Sequence, residues 1–133
     1  MTRIALAALL FGALQAGACE PALTGEGVHR VEGENYVVAW RPEPPTLRVS
    51  DFFEVEVAAC SKSRDEPPTQ VRVDAVMPEL KHGMNYRPTV TTVSAGRFQA
   101  EGLLLHMPGL WEFSFDVRGP GGNEVLRERV SLR

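Results

Sequence analysis

The feature that most constrains the fold of this chain is a repeated alternation of apolar and polar residues. It is clearest in residues 53–59, 71–77 and 111–117, where every second side chain is apolar. Successive side chains of a β-strand point to opposite faces of a sheet, so a period of two is typical of strands with one buried face. Residues 36–40 are apolar throughout and predict a strand that is partly buried on both faces.

Turn-forming residues separate these alternating segments at short intervals. The chain has ten prolines and twelve glycines, and they cluster between the predicted strands, where proline and glycine favour turns. No amphipathic helical window follows residue 18, which excludes a helical bundle. The pattern therefore predicts an all-β protein, an antiparallel immunoglobulin-like or cupredoxin-like β-sandwich of about seven strands.

The N-terminus has the features of a secretory signal. Arg3 precedes an apolar run at residues 4–13, and Ala16-Gly17-Ala18 offers the small residues that a signal peptidase recognises. The run is too short for a permanent bilayer span, which needs about 20 apolar residues. We predict a signal peptide at residues 1–18 and a single domain at residues 19–133, periplasmic or otherwise exported and without a transmembrane span.

The chain has two cysteines, Cys19 and Cys60, and two interpretations of them remain open. An even pair in an oxidising compartment predicts a disulfide, which would close a loop worth about 3–4 kcal/mol. Alternatively, residues 14–19 resemble a weak lipobox, with Ala16 in place of the usual leucine, and Cys19 would carry a lipid anchor. Cys60 shares a predicted strand face with the acidic residues of that strand, so a disulfide would be a staple outside the core.

Charge and motifs exclude several functional classes. The formal net charge is −3, and there is no basic stripe, so the chain is a poor candidate for binding nucleic acid or an anionic membrane. No nucleophile elbow, zinc-protease helix, glycine-rich phosphate loop or Cys-x-x-Cys motif is present. We therefore predict a protein that is not an enzyme.

Methionine and histidine are concentrated in one part of the chain. All the methionines beyond the predicted signal lie there with two of the three histidines: Met77, His82, Met84, His106 and Met107. Thioether sulfur and imidazole nitrogen are ligands that favour copper, and Cu(I) in particular. These five residues form the predicted metal site, with copper as its candidate cofactor.

The two clusters can meet at one end of the sandwich. Residues 88–93 would run away from the first cluster, a turn at residues 94–96 would reverse the chain, and residues 98–105 would return to the second cluster. A structural alternative remains open, in which Met77 fills the core, Met107 is tucked inward and His106 is hydrogen-bonded nearby. His29 has no sulfur neighbour in the sequence and is not included in the predicted site.

Three other residues are given structural roles. Trp111 begins the most regular of the alternating segments and is predicted to be a central core aromatic. Tyr86 is predicted to cover a sheet edge, and Arg87 to pair with a carboxylate such as that of Glu79 or Glu112.

Together these segments resemble a known family. Residues 77–88, 96–102 and 106–112 are similar to the YtkA-like domain, which is related to FixH-like exported proteins; the resemblance covers roughly residues 71–117. It implies an immunoglobulin-like β-sandwich outside the cytoplasm, associated with copper handling and cytochrome oxidase assembly. The implied partner is a copper-receiving or respiratory-assembly protein of the cell envelope. FixH-like members carry a membrane-spanning helix, whereas this chain has only the predicted signal.

Two functional hypotheses follow from the sequence. The first is an exported copper-binding accessory or chaperone-type protein that uses the methionine–histidine site. The second is a metal-free protein-interaction module, in which the methionines act as adaptable apolar contacts. Convergence of the donor atoms would favour the first, and separate burial of the side chains would favour the second.

Overall fold

The computed structural model describes residues 19–133, so the predicted signal peptide at residues 1–18 lies outside the described residues. The described residues contain strands and no helix. The strands are β1 His29–Glu32, β2 Tyr36–Glu43, β3 Phe52–Ser61, β4 Gln70–Met77, β5 His82–Gly83, β6 Thr89–Ser94, β7 Arg97–Leu104, β8 Gly109–Gly119 and β9 Gly122–Leu132. The predicted all-β class is confirmed. The two strands beyond the predicted seven are β1, of four residues, and β5, of two.

The strands form two antiparallel sheets. The first sheet has the order β1-β2-β3-β7-β6, and the second has the order β5-β4-β8-β9. The longest pairing joins β8 to β9 through a tight hairpin from Gly119 to Gly122. At Gly122 the backbone has a φ of 107°, a conformation that costs little only for glycine. The two sheets together form the predicted antiparallel sandwich.

The core lies between the sheets and is built from the alternating residues. Trp40 of the first sheet faces Phe113 and Phe115 of the second, with ring centroids 4.7 and 5.4 Å apart. All three side chains are fully buried. Aromatic pairs in this tilted arrangement stabilise a core by more than the burial of their apolar surface alone provides. Trp111 is also fully buried, as a core aromatic should be.

The segment before β1 covers the outer face of the first sheet. Leu23 packs on Ala39 and Ala58, which are paired across β2 and β3, and the three side chains form a small second cluster. The small size of the two alanines leaves room for this covering segment. This explains why all five residues from Tyr36 to Trp40 are buried, in agreement with the strand predicted to be partly buried on both faces.

A disulfide holds this covering segment in place. Cys19 and Cys60 are bonded, with their Cα atoms 5.9 Å apart. Cys60 lies near the end of β3 and is half-buried, so the bond is the predicted staple outside the core. The Nη1 atom of Arg97 also donates a hydrogen bond to the carbonyl of Ala22 at 2.7 Å. The lipid anchor would need the same sulfur of Cys19, and the structure shows the disulfide alternative.

Strand β5 covers only a small part of its neighbour. It pairs with Val76 and Met77 at the end of β4, whereas β8 pairs with β4 from Gln70 to Val76 on the other side. The first part of β4 is consequently an open sheet edge. None of residues 19–133 forms a helix long and apolar enough to cross a membrane.

Candidate metal centre

The first cluster is formed by a tight reversal after β4. The chain turns over residues 78–81, with Lys81 at a φ of 52°, and returns as β5. His82 then lies directly opposite Met77 in the antiparallel pair. Directly opposite residues project from the same face of a sheet. Met77 is buried with 4% of its surface exposed, whereas His82 lies at the margin and is exposed.

The second cluster lies in the connection between β7 and β8, and a buried tryptophan holds it. Trp111 donates a hydrogen bond from Nε1 to the carbonyl of Met107 at 2.9 Å. The imidazole of His106 stands edge-on to the same tryptophan, with ring centroids 5.6 Å apart and an interplanar angle of 79°. Because Trp111 is fully buried, these two contacts fix the loop against the core.

The structure brings the two clusters together at the same end of the sandwich. The ring centroids of His82 and His106 are 6.4 Å apart, with an interplanar angle of 86°. Metal–imidazole nitrogen bonds are about 2.0–2.1 Å long, and each nitrogen lies about 1.1 Å from its ring centre, so two imidazoles on one ion have centroids no more than about 6–6.5 Å apart. The observed separation lies at this limit, which corresponds to a nearly linear arrangement of the two nitrogens.

The three methionines of the predicted site all contact the hydrophobic core. Met77 belongs to the core, and its Cε atom would lie 2.8 Å from a Cβ added to Gly109. Its methyl group therefore underlies the turn that begins β8, and its burial matches the core-filling alternative. Met84 and Met107 are half-buried and pack against the same core. Met84 thus contributes to packing, although it follows β5 in irregular backbone.

One imidazole nitrogen at this end lacks a partner. The Nδ1 atom of His106 is buried and has no hydrogen-bond partner among the described residues. The structural alternative predicted a hydrogen bond for His106 nearby, and no such bond to the side chain is present in residues 19–133. Buried polar atoms are nearly always paired, and each exception calls for an explanation such as an ion or a water molecule. Nε1 of Trp40 and Oε2 of Glu128 are two further exceptions among residues 19–133. The two imidazoles are therefore close enough to share an ion, whereas the three methionines pack against the core.

The donor set is unusual in kind. Within residues 19–133, no three His, Cys, Asp or Glu side chains converge in a way that could hold a metal ion. The candidate metal centre consists instead of the two imidazoles, whose nitrogens would hold an ion in a nearly linear arrangement; Met84 and Met107 are neighbours of these histidines in the sequence. Thioethers carry no charge and suit Cu(I) far better than they suit hard cations.

Exposed apolar side chains lie at the same end. Phe52, at the start of β3, and Tyr86, in the connection between β5 and β6, meet edge-to-face with centroids 5.0 Å apart. They are 58% and 46% exposed, and Leu80 beside β5 is 52% exposed. Tyr86 therefore lies against the first residue of an inner strand and stays largely open to solvent.

The predicted ion pair of Arg87 with Glu79 or Glu112 is wrong. Glu112 lies directly opposite Arg129 in the β8–β9 pair, and its carboxylate lies 3.1 Å from the Nε atom of Arg129. Arg127 is a second cationic neighbour at 3.6 Å. Arg87 has no ion-pair partner in residues 19–133 and instead lines a cavity beside the open edge of β4.

A pair of carboxyl groups lies on the outer face of the first sheet, where β2 ends. A hydrogen bond that Glu43 donates to Glu56, together with burial and the like charge, raises the pKa of Glu43. The same hydrogen bond and the guanidinium of Arg41, 2.6 Å away, lower the pKa of Glu56. The two groups therefore share a proton over part of the acidic range.

The third histidine has a structural role that its sequence context did not reveal. His29 stacks on Trp40 with centroids 4.3 Å apart and an interplanar angle of 18°. Its Nδ1 atom lies 2.7 Å from Oε2 of Glu128 in β9. These contacts join the edge strands of the two sheets. No local signal reveals them, because Glu128 comes from the last strand of the chain.

Comparison with protein-family models, with curated proteins and with solved structures finds no match to this chain. The resemblance of residues 71–117 to the YtkA-like domain therefore stays a prediction. The case for a function rests on the geometry of the described residues.

Proposed function

We propose that this chain is an exported, non-enzymatic β-sandwich protein that binds one Cu(I) ion at the His82–His106 end and passes it to an envelope protein. The observation that carries the proposal is the 6.4 Å separation of the two imidazole rings, one of which has a buried nitrogen without a partner among residues 19–133. Met84 and Met107 lie at the same end and supply thioether sulfur.

The redox chemistry of the chain supports this choice of metal. Both cysteines are joined in the disulfide, so within residues 19–133 no thiolate is present to compete for copper. A methionine–histidine site tolerates an oxidising compartment, in which thiol ligands are lost to disulfide formation. Soft thioethers beside imidazoles favour Cu(I) over the hard cations that are more abundant outside cells.

The two imidazoles differ in a way that suits transfer of an ion. His106 is fixed by its contact with buried Trp111, so it serves as the anchor. His82 is exposed on a two-residue edge strand, so a ligand from a recipient protein can replace it without unfolding the sandwich. Exchange of one ligand at a time would move the ion outward from the anchored histidine.

The decisive experiment is a Cu(I) titration of the mature protein against a competing chelator. We expect one ion per chain for the wild type and loss of competition for His82→Ala/His106→Ala. His29→Gln is the matched control, because it removes a histidine from a different region, and it should keep full binding. Absence of competition by the folded wild-type protein would contradict the copper function.

Export is tested by the mass of the protein recovered from the cell envelope. We expect residues 19–133 with two hydrogens fewer than the reduced chain, as the Cys19–Cys60 disulfide requires. A lipid anchor on Cys19 would add the mass of its acyl chains and leave Cys60 as a thiol. Retention of residues 1–18 would contradict the proposed cleavage.

A second candidate function is a metal-free docking module, which the exposed Phe52–Tyr86 pair favours. Exposed aromatic side chains that adjoin one another often mark an interaction surface. In that case Phe52→Ala/Tyr86→Ala would abolish retention of the envelope partner, while His82→Ala/His106→Ala would leave it unchanged. The opposite pattern would favour the copper function.

A further inference from the structure

The open edge of β4 presents backbone groups that no other described strand uses. Strand β8 occupies one side of β4, and β5 covers the other side only at Val76 and Met77. A cavity of about 640 Å³ follows the uncovered stretch and is lined there by residues 69–74. An open space therefore lies beside residues 69–74, with Val90 and Thr92 of β6 on its other side.

The direction of these backbone groups follows from Ala75. Its N–H donates to the Oδ1 atom of Asp74 at 2.8 Å, a contact that places this N–H on the side away from β8. Alternate residues of a strand direct their backbone groups to the same side. Val71 and Val73 therefore share this orientation and, with Ala75, offer hydrogen-bonding groups to an incoming strand.

The side chains between these residues carry opposite charges and lack ion-pair partners. Arg72 and Asp74 are exposed on the outer face of the second sheet, and neither makes a salt bridge within residues 19–133. An antiparallel copy of β4 placed about a two-fold axis through Val73 would bring Arg72 opposite Asp74 of the second copy. The same symmetry repeats the pair, so the edge is complementary to itself.

We propose that the occupant of this edge is a second copy of the chain, paired antiparallel through residues 71–75. The two four-stranded sheets then become one continuous sheet, since each contributes its β4 edge. Val71 lies opposite Ala75 of the second copy, and the N–H of Ala75 exchanges its bond with Asp74 for the carbonyl of that valine. Strand β5 ends the pairing at Val76.

Charge fixes the register of this pairing. A shift of two residues in one direction places Arg72 opposite Arg72 of the second copy, and the opposite shift places Asp74 opposite Asp74. Like charges directly opposite each other destabilise a strand pair. A shift of one residue would place Val71, Val73 and Ala75 opposite residues whose backbone N–H and C=O groups point away from the new strand. The two-fold axis at Val73 is therefore the register that satisfies both constraints.

The test is sedimentation equilibrium of the mature protein in buffer that contains a metal chelator. We expect a dimer for the wild type, and Arg72→Asp and Asp74→Arg should each weaken it by about tenfold or more, because each reversal creates two like-charge pairs. The combined swap Arg72→Asp/Asp74→Arg restores opposite charges and should restore the dimer. A wild-type protein that remains monomeric at about 0.5 mM, or a dimer that both single reversals leave intact, would overturn the proposal.

Cross-linking tests the register itself. Directly opposite residues of such a pair have Cα atoms about 4.5 Å apart, within the range of a disulfide. An equimolar mixture of Arg72→Cys and Asp74→Cys chains should therefore form a mixed disulfide, whereas each variant alone should form little. Equal cross-linking of the separate variants would overturn this register. Both experiments are made without metal, so their outcome is independent of copper binding.

Discussion

The two ends of the sandwich differ in how completely their buried polar groups are hydrogen-bonded. At the end that holds the hairpin turns at residues 33–35 and 119–122, the Glu124 carboxylate accepts hydrogen bonds from the backbone N–H groups of Glu34, Asn35 and Tyr36, at 2.9, 3.0 and 3.3 Å. At the other end, buried Nδ1 of His106 has no partner within residues 19–133. Both ends have hydrogen bonds, since Trp111 donates to the carbonyl of Met107 at the second end, but only the second end has the buried His106 nitrogen without a partner among residues 19–133.

Other contacts reinforce the Glu124 end. The hydroxyl of Tyr36 donates to the carbonyl of Gly122 at 2.7 Å, and burial of the phenol raises the pKa of Tyr36. The Cys19–Cys60 disulfide lies at the same end, because Cys60 is paired with Val37. These contacts join β2 to the β8–β9 hairpin, and β3 to the segment that precedes β1.

The histidines show what this difference means. His29 is stacked on Trp40, and its Nδ1 atom lies 2.7 Å from Oε2 of Glu128 without the geometry of a hydrogen bond, so its imidazole contacts both sheets. His82 is exposed, and His106 keeps a nitrogen without a partner among the described residues. Local rules of polar satisfaction are most often broken where a protein functions. Substitution of Glu124 or His29 should therefore lower the free energy of unfolding, whereas substitution of His82 or His106 should weaken copper binding.

The largest expected effect is at the disulfide. Cys19→Ser/Cys60→Ser removes a link between residues separated by 41 positions, and we expect the free energy of unfolding to fall by about 3–4 kcal/mol. Urea unfolding, followed by tryptophan fluorescence, measures the loss. Copper stoichiometry should not change, because the bond lies at the opposite end. A loss below about 1 kcal/mol would show that the covering segment does not depend on the bond.

The next largest effect is at Glu124. Glu124→Ala leaves three backbone N–H groups without their acceptor, and hydrogen bonds to a charged group contribute about 1.5–3 kcal/mol each. Because part of the lost bonding is replaced by water at this partly exposed site, we expect a total loss of about 2–3 kcal/mol. Glu124→Gln is the matched control and should fall between the wild type and Glu124→Ala, since it keeps an oxygen acceptor without the charge. Equal stabilities for the two variants would contradict a role for the carboxylate.

The effect at His29 should be smaller. His29→Ala removes the stack on Trp40 and leaves the Glu128 oxygen without its close neighbour, so we expect a loss of about 1–2 kcal/mol. Glu128→Gln and the double variant complete a double-mutant cycle, which isolates the energy of the pair. Additive effects of the two substitutions would show that the 2.7 Å contact does not couple the edge strands.

Much of the fold could be predicted from the alternation, and the exceptions have physical reasons. Residues 53–59, 71–77 and 111–117 became parts of β3, β4 and β8, because packing against a second sheet requires one apolar face per strand. Strands β1 and β5 were missed, since four and two residues are too few to establish a period. The even number of cysteines made the disulfide one of two alternatives, and the structure shows that alternative.

The candidate site could be predicted less completely. The meeting of His82 and His106 follows from counting strand reversals, but burial of Met84 against the core depends on tertiary packing. The pairing of Glu112 with Arg129 depends on the register of β8 with β9, and the irregular alternation of residues 126–132 does not define it. The bonds of Glu124 to residues 34–36 join distant parts of the chain, and no local pattern indicates them.

The smallest expected effect on stability is at His82, and it bears most directly on the difference between the two ends. His82 is exposed and makes no side-chain hydrogen bond or ion pair within residues 19–133, so His82→Ala should change the free energy of unfolding of the metal-free protein by less than about 0.5 kcal/mol. His106→Leu should also be tolerated, because it removes a buried nitrogen that has no partner among the described residues. Both variants should nevertheless lose Cu(I) in the chelator competition. A loss of stability at His82 comparable to that at His29 would show that its imidazole is committed to the fold. That result would contradict the proposal that His82 is available to bind a metal ion.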